Sequence, residues 1–337
     1  TAASNAAVGY KSLYTNTTGA ANVAVGNCSL YANTTAAGNV SIGVNSSKAN
    51  TEGANNVAIG KDAFEANTTG DENVAIGFTA LDANTTADGN TAVGTAALGA
   101  NTTGHSNTSV GKASLLTNTT GESSVAIGYT ALNKNTTAGN NVAIGWKALE
   151  ANTVGFENTG LGNQAGDEIT TGDQNTAAGS NALGKVTTGD GNTGLGRAAG
   201  DLTTTGGNNI SIGLNSDPTA NDVSNQITLG NGDNDNLRCA DTSISTLSDE
   251  RDKENIENIP HGLDYILAIR PVKFDWKTRD GSREGKKDYG FIAQELAKVE
   301  EKFESAEYTR LVHKENPEKW EADVMKTYPI LIKAIQE

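Results

Sequence analysis

The sequence predicts a mainly β chain: a parallel β-solenoid, or β-roll, of 17-residue repeats over residues 1–230, a β-like connector over 231–247, and a small α+β domain with C-terminal helices over 248–337. Three observations carry this. A five-residue core of the form NVAIG (Asn, β-branched, small, aliphatic, Gly) starts at Asn5 and returns every 17 residues as far as Gln226, fourteen starts without a slip. A fixed period of this size marks stacked repeats. Only 36% of residues are hydrophobic and 5% aromatic, against 39 Gly, which is too poor for one thick core and suits a thin, repeated one. Disordered chains of similar polarity do not hold aliphatic residues in register. Finally, residues 1–248 carry 9 Lys+Arg against 20 Asp+Glu, whereas residues 249–337 carry 16 against 20 in a much shorter span. That jump in charge density places a boundary near residue 248.

Each element of the coil follows from its residues. The second and fourth core positions are β-branched or aliphatic (Val23 and Val25, Val57 and Ile59, Ile210 and Ile212), and alternation puts both on one face of a strand. That face is expected to be the core. The third position is small (Ala24, Ser41, Ala58, Gly160) and is expected to point outward, where it lets another backbone approach, as packing identical chains about an axis requires. Gly fills the fifth position in all fourteen units, Gly9 to Gly230, which implies a tight corner on every coil. Ala63-Phe64, Ala80-Leu81 and Ala131-Leu132 then read as a second short strand over the same core, and ANTTG as the outward turn. Fourteen coils at the ~4.7–4.9 Å strand spacing make a rod on the order of 65 Å long. Its stability is a sum over neighbours, so one coil alone does not fold.

The net charge of −15 and the lack of a basic stripe argue against a nucleic-acid partner. No stretch approaches the ~20 apolar residues of a membrane span, so no membrane insertion is expected. The N terminus has no basic segment leading into an apolar run, and it opens in mid-repeat, as a piece of a longer chain would. Cys28 and Cys239 are isolated, and His261 and His313 lack metal-ligand neighbours, so no metal or cofactor is expected. The NTT triplets at Asn16, Asn33, Asn67, Asn84, Asn101, Asn118 and Asn135 match the glycosylation acceptor pattern but read as turn chemistry repeated with the coil. The turn carboxylates, such as Asp71, Glu72, Asp88 and Asp173, read as a solvated surface, because no insertion breaks the register to build a pocket for glycoside hydrolysis.

The NVAIG repeats resemble the β-roll heads of YadA-type trimeric adhesins, and the 17-residue version with NTTG turns is similar to repeats of phage and bacterial tail-fibre-like proteins. The resemblance covers about residues 1–230 and implies an elongated homotrimer that presents a rigid surface for attachment. From SDERDKENI (248–256) through GLDYILAIRPVKFDWK (262–277) and YGFIAQEL (289–296) to YPILIKAIQE (328–337), the chain resembles the peptidase S74, endosialidase-type intramolecular chaperone. That family implies a trimeric chaperone that guides folding of the preceding β-rod and then cuts itself off. Carried over by position, the nucleophile is Ser248, its base Lys253, and the scissile bond Leu247–Ser248. Asp252 departs from the aliphatic residue many members carry before the Lys, a change that bears on rate.

Together these readings predict a virion tail-fibre segment with a single-turnover serine autoprotease and no turnover activity in the rod. Its expected partners are two further copies of itself, a host cell-surface receptor or glycan, and other tail-fibre proteins. Two alternatives belong to other classes: a trimeric adhesin of the bacterial cell surface, and a polysaccharide-degrading tailspike. The chemistry also stands on its own terms. A serine hydroxyl needs a base, and Lys serves only when its pKa falls well below ~10.4. Burial, supplied by trimer formation, and a neighbouring cation such as Arg251 would both lower it. Ser248 also reads as a helix N-cap ahead of Asp249 and Glu250. Downstream, Leu263, Ile266, Leu267 and Ile269 predict a helix, Val272, Phe274 and Trp276 a strand face, and FIAQELAKVEEKF and VMKTYPILIKAIQE amphipathic helices, the last interrupted at Pro329. Trp276, Tyr289 and Phe291 read as core aromatics.

Overall fold

The computed structural model describes residues 3–234, 248–277, 284–314 and 320–337. The chain divides into two compact units, Thr1–Asn231 and Gly232–Glu337. Among the described residues no helix is long and apolar enough to cross a membrane.

The first unit is a parallel β-solenoid. Fourteen three-residue strands, β1 (Ala6–Val8) to β14 (Ile227–Leu229), form one sheet in strict chain order. Each residue pairs with the one 17 positions on, as in Val57↔Val74 and Ala58↔Ala75. Two expectations about the coil are corrected. The third core position faces inward: Ala24, Ala58, Ala75 and Ala126 are fully buried, while Ile42, Ile127 and Ile144 at the fourth are exposed. The reason is the width of the coil. At Gly160 an added Cβ would stand 2.9 Å from Leu149 Cγ, and elsewhere from Ala24 to Ser211 the position is Ala, Gly or buried Ser, so the interior beside the strands takes only the smallest side chains. The β-branched face therefore looks out, half-buried in some coils and exposed in others.

The second strand is also absent. Ala63-Phe64, Ala80-Leu81 and Ala131-Leu132 lie in turns, with Phe64, Leu81 and Leu132 at φ 55, 52 and 49. Left-handed backbone costs an L-residue about 1–2 kcal/mol. Here complete burial of the side chain, which contributes about 1.5–3 kcal/mol, offsets that cost. Inter-coil bonds such as Leu81 N–H to Ala97 O (3.0 Å) satisfy the turn backbone. The Gly corner is as expected: Gly128 has φ +140, and an added Cβ would lie 2.2 Å from Gly145 O.

Two asparagine ladders run through the interior. In the first, Asn56 N–H donates to Asn39 Oδ1 (2.9 Å) and Asn56 Nδ2 donates to Gly70 O (2.9 Å). Ser124, which departs from Asn, keeps this ladder going, since its hydroxyl accepts from Asn141 N–H at 3.2 Å. The second ladder is built from the NTT asparagines. Asn118 Nδ2 donates to Asn101 Oδ1 (3.0 Å) and Gly121 O (2.9 Å). All but the half-buried Asn16 are buried, and their amides are engaged, which supports turn chemistry over glycan attachment. The ladder ends at Asn152, whose Oδ1 is buried without a partner because the next coil carries Ile169 at that position. Ile169 fills the space left where Gly166 stands in place of Leu.

The second unit is α+β. Helix α1 (Leu263–Ala268) packs on α4 (Tyr328–Gln336). Strand β15 (Val272–Asp275) pairs antiparallel with β16 (Lys287–Gly290), and β17 (Val312–His313) with β18 (Glu321–Ala322). Helices α2 (Ala293–Lys302) and α3 (Ala306–Thr309) lie between these two pairs in sequence. The core is Tyr265, Leu296, Val299, Leu311 and Ile330. Tyr265, not the exposed Leu263 and Leu267, faces it from α1. Tyr289 is 84% exposed, so it is no core aromatic, and Phe291 is also exposed. Pro329 stands in the first turn of α4 and starts that helix, where its missing N–H has no intrahelical partner to lose.

Candidate functional site

The segment Ser248–Lys253 folds into one tight turn. Asp249 is extended (φ −68, ψ 135) and its carboxylate accepts from Arg251 N–H at 2.9 Å, which caps the 3₁₀ turn Glu250–Asp252. The cap is therefore Asp249, and the N-cap reading of Ser248 is corrected. Lys253 closes the turn: its N–H donates to Glu250 O (3.1 Å), and its own backbone returns to extended geometry. This reversal carries the Lys253 side chain back over Ser248. Lys253 Nζ stands 2.7 Å from Ser248 Oγ and 3.4 Å from Ser248 O. The two residues assigned as nucleophile and base are thus in hydrogen-bond contact, the geometry a proton transfer between them requires. Leu247, the other side of the assigned scissile bond, lies outside the described residues, as does Cys239.

Two charged side chains of the turn, Asp249 and Arg251, pair with one another. Ser248 and Lys253 are both exposed in the single chain. Arg251 is turned to Asp249, with Nη2–Oδ2 at 2.6 Å and Nε–Oδ1 at 3.0 Å. The side-chain bonds from Arg251, and then its backbone N–H, hold the Asp249 carboxyl below the usual range. The same pairing raises the Arg251 guanidinium further. Its charge is balanced locally by Asp249. Asp249 was missed as a structural determinant of the site. Its signal was the spacing Asp249-x-Arg251, which allows a carboxylate to clamp both the backbone and the side chain two residues on.

The second unit also holds a buried polar network. The Tyr265 hydroxyl meets Ser305 Oγ at 2.9 Å, and Glu300 Oε1 accepts from Thr309 Oγ1 (2.8 Å) and Leu311 N–H (2.6 Å). His261 packs against the Tyr265 and Phe303 rings. Among the described residues no group of His, Cys, Asp and Glu is placed to hold a metal ion.

Residues 248–306 match the family model for Peptidase S74, the chaperone of endosialidase. The match begins at Ser248 and takes in three of the four motifs quoted above, ending before YPILIKAIQE. No curated protein and no solved structure matches the chain.

Proposed function

We propose that this chain is a structural and attachment segment of a viral tail fibre, working as a homotrimer whose C-terminal domain directs folding of the β-rod and frees it by cutting between Leu247 and Ser248. The observation that carries the reading is that the chaperone-type domain starts at Ser248, with Lys253 Nζ 2.7 Å from its hydroxyl. In the step proposed, neutral Lys253 takes the proton from Ser248 Oγ as the oxygen attacks the Leu247 carbonyl. The C–N bond breaks, the proton passes to the Ser248 amine, and an ester remains. Water then opens the ester to leave a Leu247 carboxylate and a restored Ser248 hydroxyl. The pair is exposed in the single chain, and packing against other copies would bury Lys253 and favour its neutral form, which couples cutting to assembly.

The apolar stripe of the solenoid supports self-association. Ile42, Ile127, Ile144, Leu161, Leu195 and Ile212 are exposed at the same position of their coils, with Ile59, Ile76, Val93 and Val110 half-buried between the first two, and an apolar column of this kind suits packing against another chain. A rod with identical rungs risks pairing in the wrong register. A C-terminal nucleator that is then irreversibly released addresses that hazard and leaves a kinetically trapped trimer. The deciding experiment is intact mass and a denaturing gel of the wild-type chain beside Ser248→Ala and Lys253→Ala. Two pieces joined at Leu247–Ser248 in the wild type, with both variants whole, support the reading. Full-length chains in all three overturn the cleavage and leave a permanent cap.

A further inference from the structure

The turn that brings Lys253 to Ser248 is held without a core. Residues 248–260 are all exposed and the 3₁₀ turn Glu250–Asp252 buries no side chain, so packing does not fix where the Lys253 amine sits. Hydrogen bonds within the turn do. Two join backbone to backbone, Asp252 N–H to Asp249 O (3.2 Å) and Lys253 N–H to Glu250 O (3.1 Å), and a single helical turn closed only by such bonds frays in water. The third comes from a side chain: Asp249 Oδ1 accepts from Arg251 N–H at 2.9 Å. It satisfies a donor that the turn itself leaves open, since the first N–H groups of a helical turn have no carbonyl of their own to meet. The same carboxylate takes the Arg251 guanidinium, through Nε at 3.0 Å and Nη2 at 2.6 Å, but that pair stands in solvent, where ion pairs contribute little.

We propose that Asp249 is a positioning residue for the cut at Leu247–Ser248, acting through its cap on the Arg251 backbone and not through its charge. The inference rests on the autocleavage reading above and names the residue that aims the base. Lys253 can take the Ser248 proton only while Nζ stands within hydrogen-bond reach of Oγ, and the separation is 2.7 Å. The amine reaches that place because the chain reverses between residues 249 and 253. Without the cap the turn opens, the Lys253 side chain swings into water, and the hydroxyl loses its base. The rate of the cut follows the fraction of chains in the aligned geometry, so a misaimed base slows the step without changing its chemistry. Charge and cap can be separated by substitution. Asparagine offers the same acceptor oxygen at the same place and caps as well as aspartate does. Glutamate keeps the charge but sets it one methylene further out.

The test is a time course of cutting in the full chain, made by cell-free synthesis and read on denaturing gels from mildly acidic to alkaline pH, with native gels to follow assembly. Asp249→Ala is expected to cut about tenfold more slowly or worse, by the same factor at every pH and with assembly intact. Asp249→Asn is expected to stay within about threefold of wild type, and Asp249→Glu to fall with alanine. Arg251→Ala keeps the backbone N–H and loses only the exposed pair, so it slows cutting less than Asp249→Ala does. A wild-type rate in Asp249→Ala, an Asp249→Asn as slow as Asp249→Ala, or a loss confined to one end of the pH range overturns the positioning role. If Asp249→Ala fails to assemble, Asp249→Glu against Asp249→Asn decides, and equal rates in those two overturn it. If the wild type cuts and the Asp249 variants cut alike, the positioning role alone is wrong; if the wild type stays whole, the autocleavage reading falls and this inference with it.

Discussion

The two units solve the problem of a small core in opposite ways. In the solenoid a narrow interior is tiled by the same few groups: a buried Ala on the strand, a Leu in the left-handed turn and two asparagine ladders, each rung satisfied by the next. In the C-terminal unit five dissimilar residues meet once, from α1, α2, α4 and the strand edge, while Ile256, Leu267, Tyr308 and Ile335 stay exposed. Repetition completes its own hydrogen bonding along the chain. A single small α+β core does not, and it leaves these apolar side chains uncovered in the single chain.

The sharpest way to break this comparison is a glycine swap in each unit. Gly128→Val forces a branched side chain into φ +140 and against Gly145 O, so a destabilisation on the order of 4 kcal/mol or more is expected in denaturant unfolding. Gly285→Ala meets nothing within 4 Å and has only its φ of +78 to overcome, about 1 kcal/mol. Equal losses at the two sites would contradict the idea that stacked backbone, not turn conformation, fixes the solenoid glycines.

A polar deletion gives the next largest effect. Asn101→Ala removes bonds to Asn84 Oδ1 and Gly104 O and strips one acceptor from Asn118, for an expected loss of about 2–3 kcal/mol in thermal or urea unfolding. Arg270→Ala, which deletes an exposed pair with Glu295, should leave unfolding unchanged within error. If the ladder variant also unfolds like wild type, the buried amides are not what holds adjacent coils together.

The smallest effect is one of sign. Burial raises Asp82, Asp167 and Asp217 in the solenoid, where Asp62 is lowered by its bond from Asn45, whereas hydrogen bonds lower Asp249, Glu295 and Glu337 in the C-terminal unit. A raised carboxyl contributes stability that is present below its unfolded value of ~4 and is lost as pH rises through the folded one. A lowered carboxyl contributes stability present above ~4 and lost as pH falls through the folded value. Acidification from neutrality is therefore expected to favour the solenoid slightly and then to weaken the C-terminal unit. Trp146 alone reports on the first and Trp276 on the second in variants with the other tryptophans replaced by Phe. Parallel pH profiles from the two reporters would remove the distinction.

The sequence by itself determined the parallel solenoid, its 17-residue period and the glycine corner, because these depend on spacing and on a backbone conformation that only one residue adopts freely. It also singled out Ser248 and Lys253 by their place in a motif. What it did not determine is which face of the strand lies inside. Alternation defines two faces, but the width of the closed coil chooses between them, and only the three-dimensional path shows that room remains for Ala58 and not for Val57 or Ile59. The same holds for Leu81, whose apolar character predicted burial correctly while its turn conformation depended on bonds to Ala97 one coil away. At the candidate site, the contact between Ser248 and Lys253 comes from the turn that Asp249 caps, and the exposure of that pair is a property of the folded single chain. Side-chain types fix what a residue can do; the closure of the backbone around them decides which ones meet.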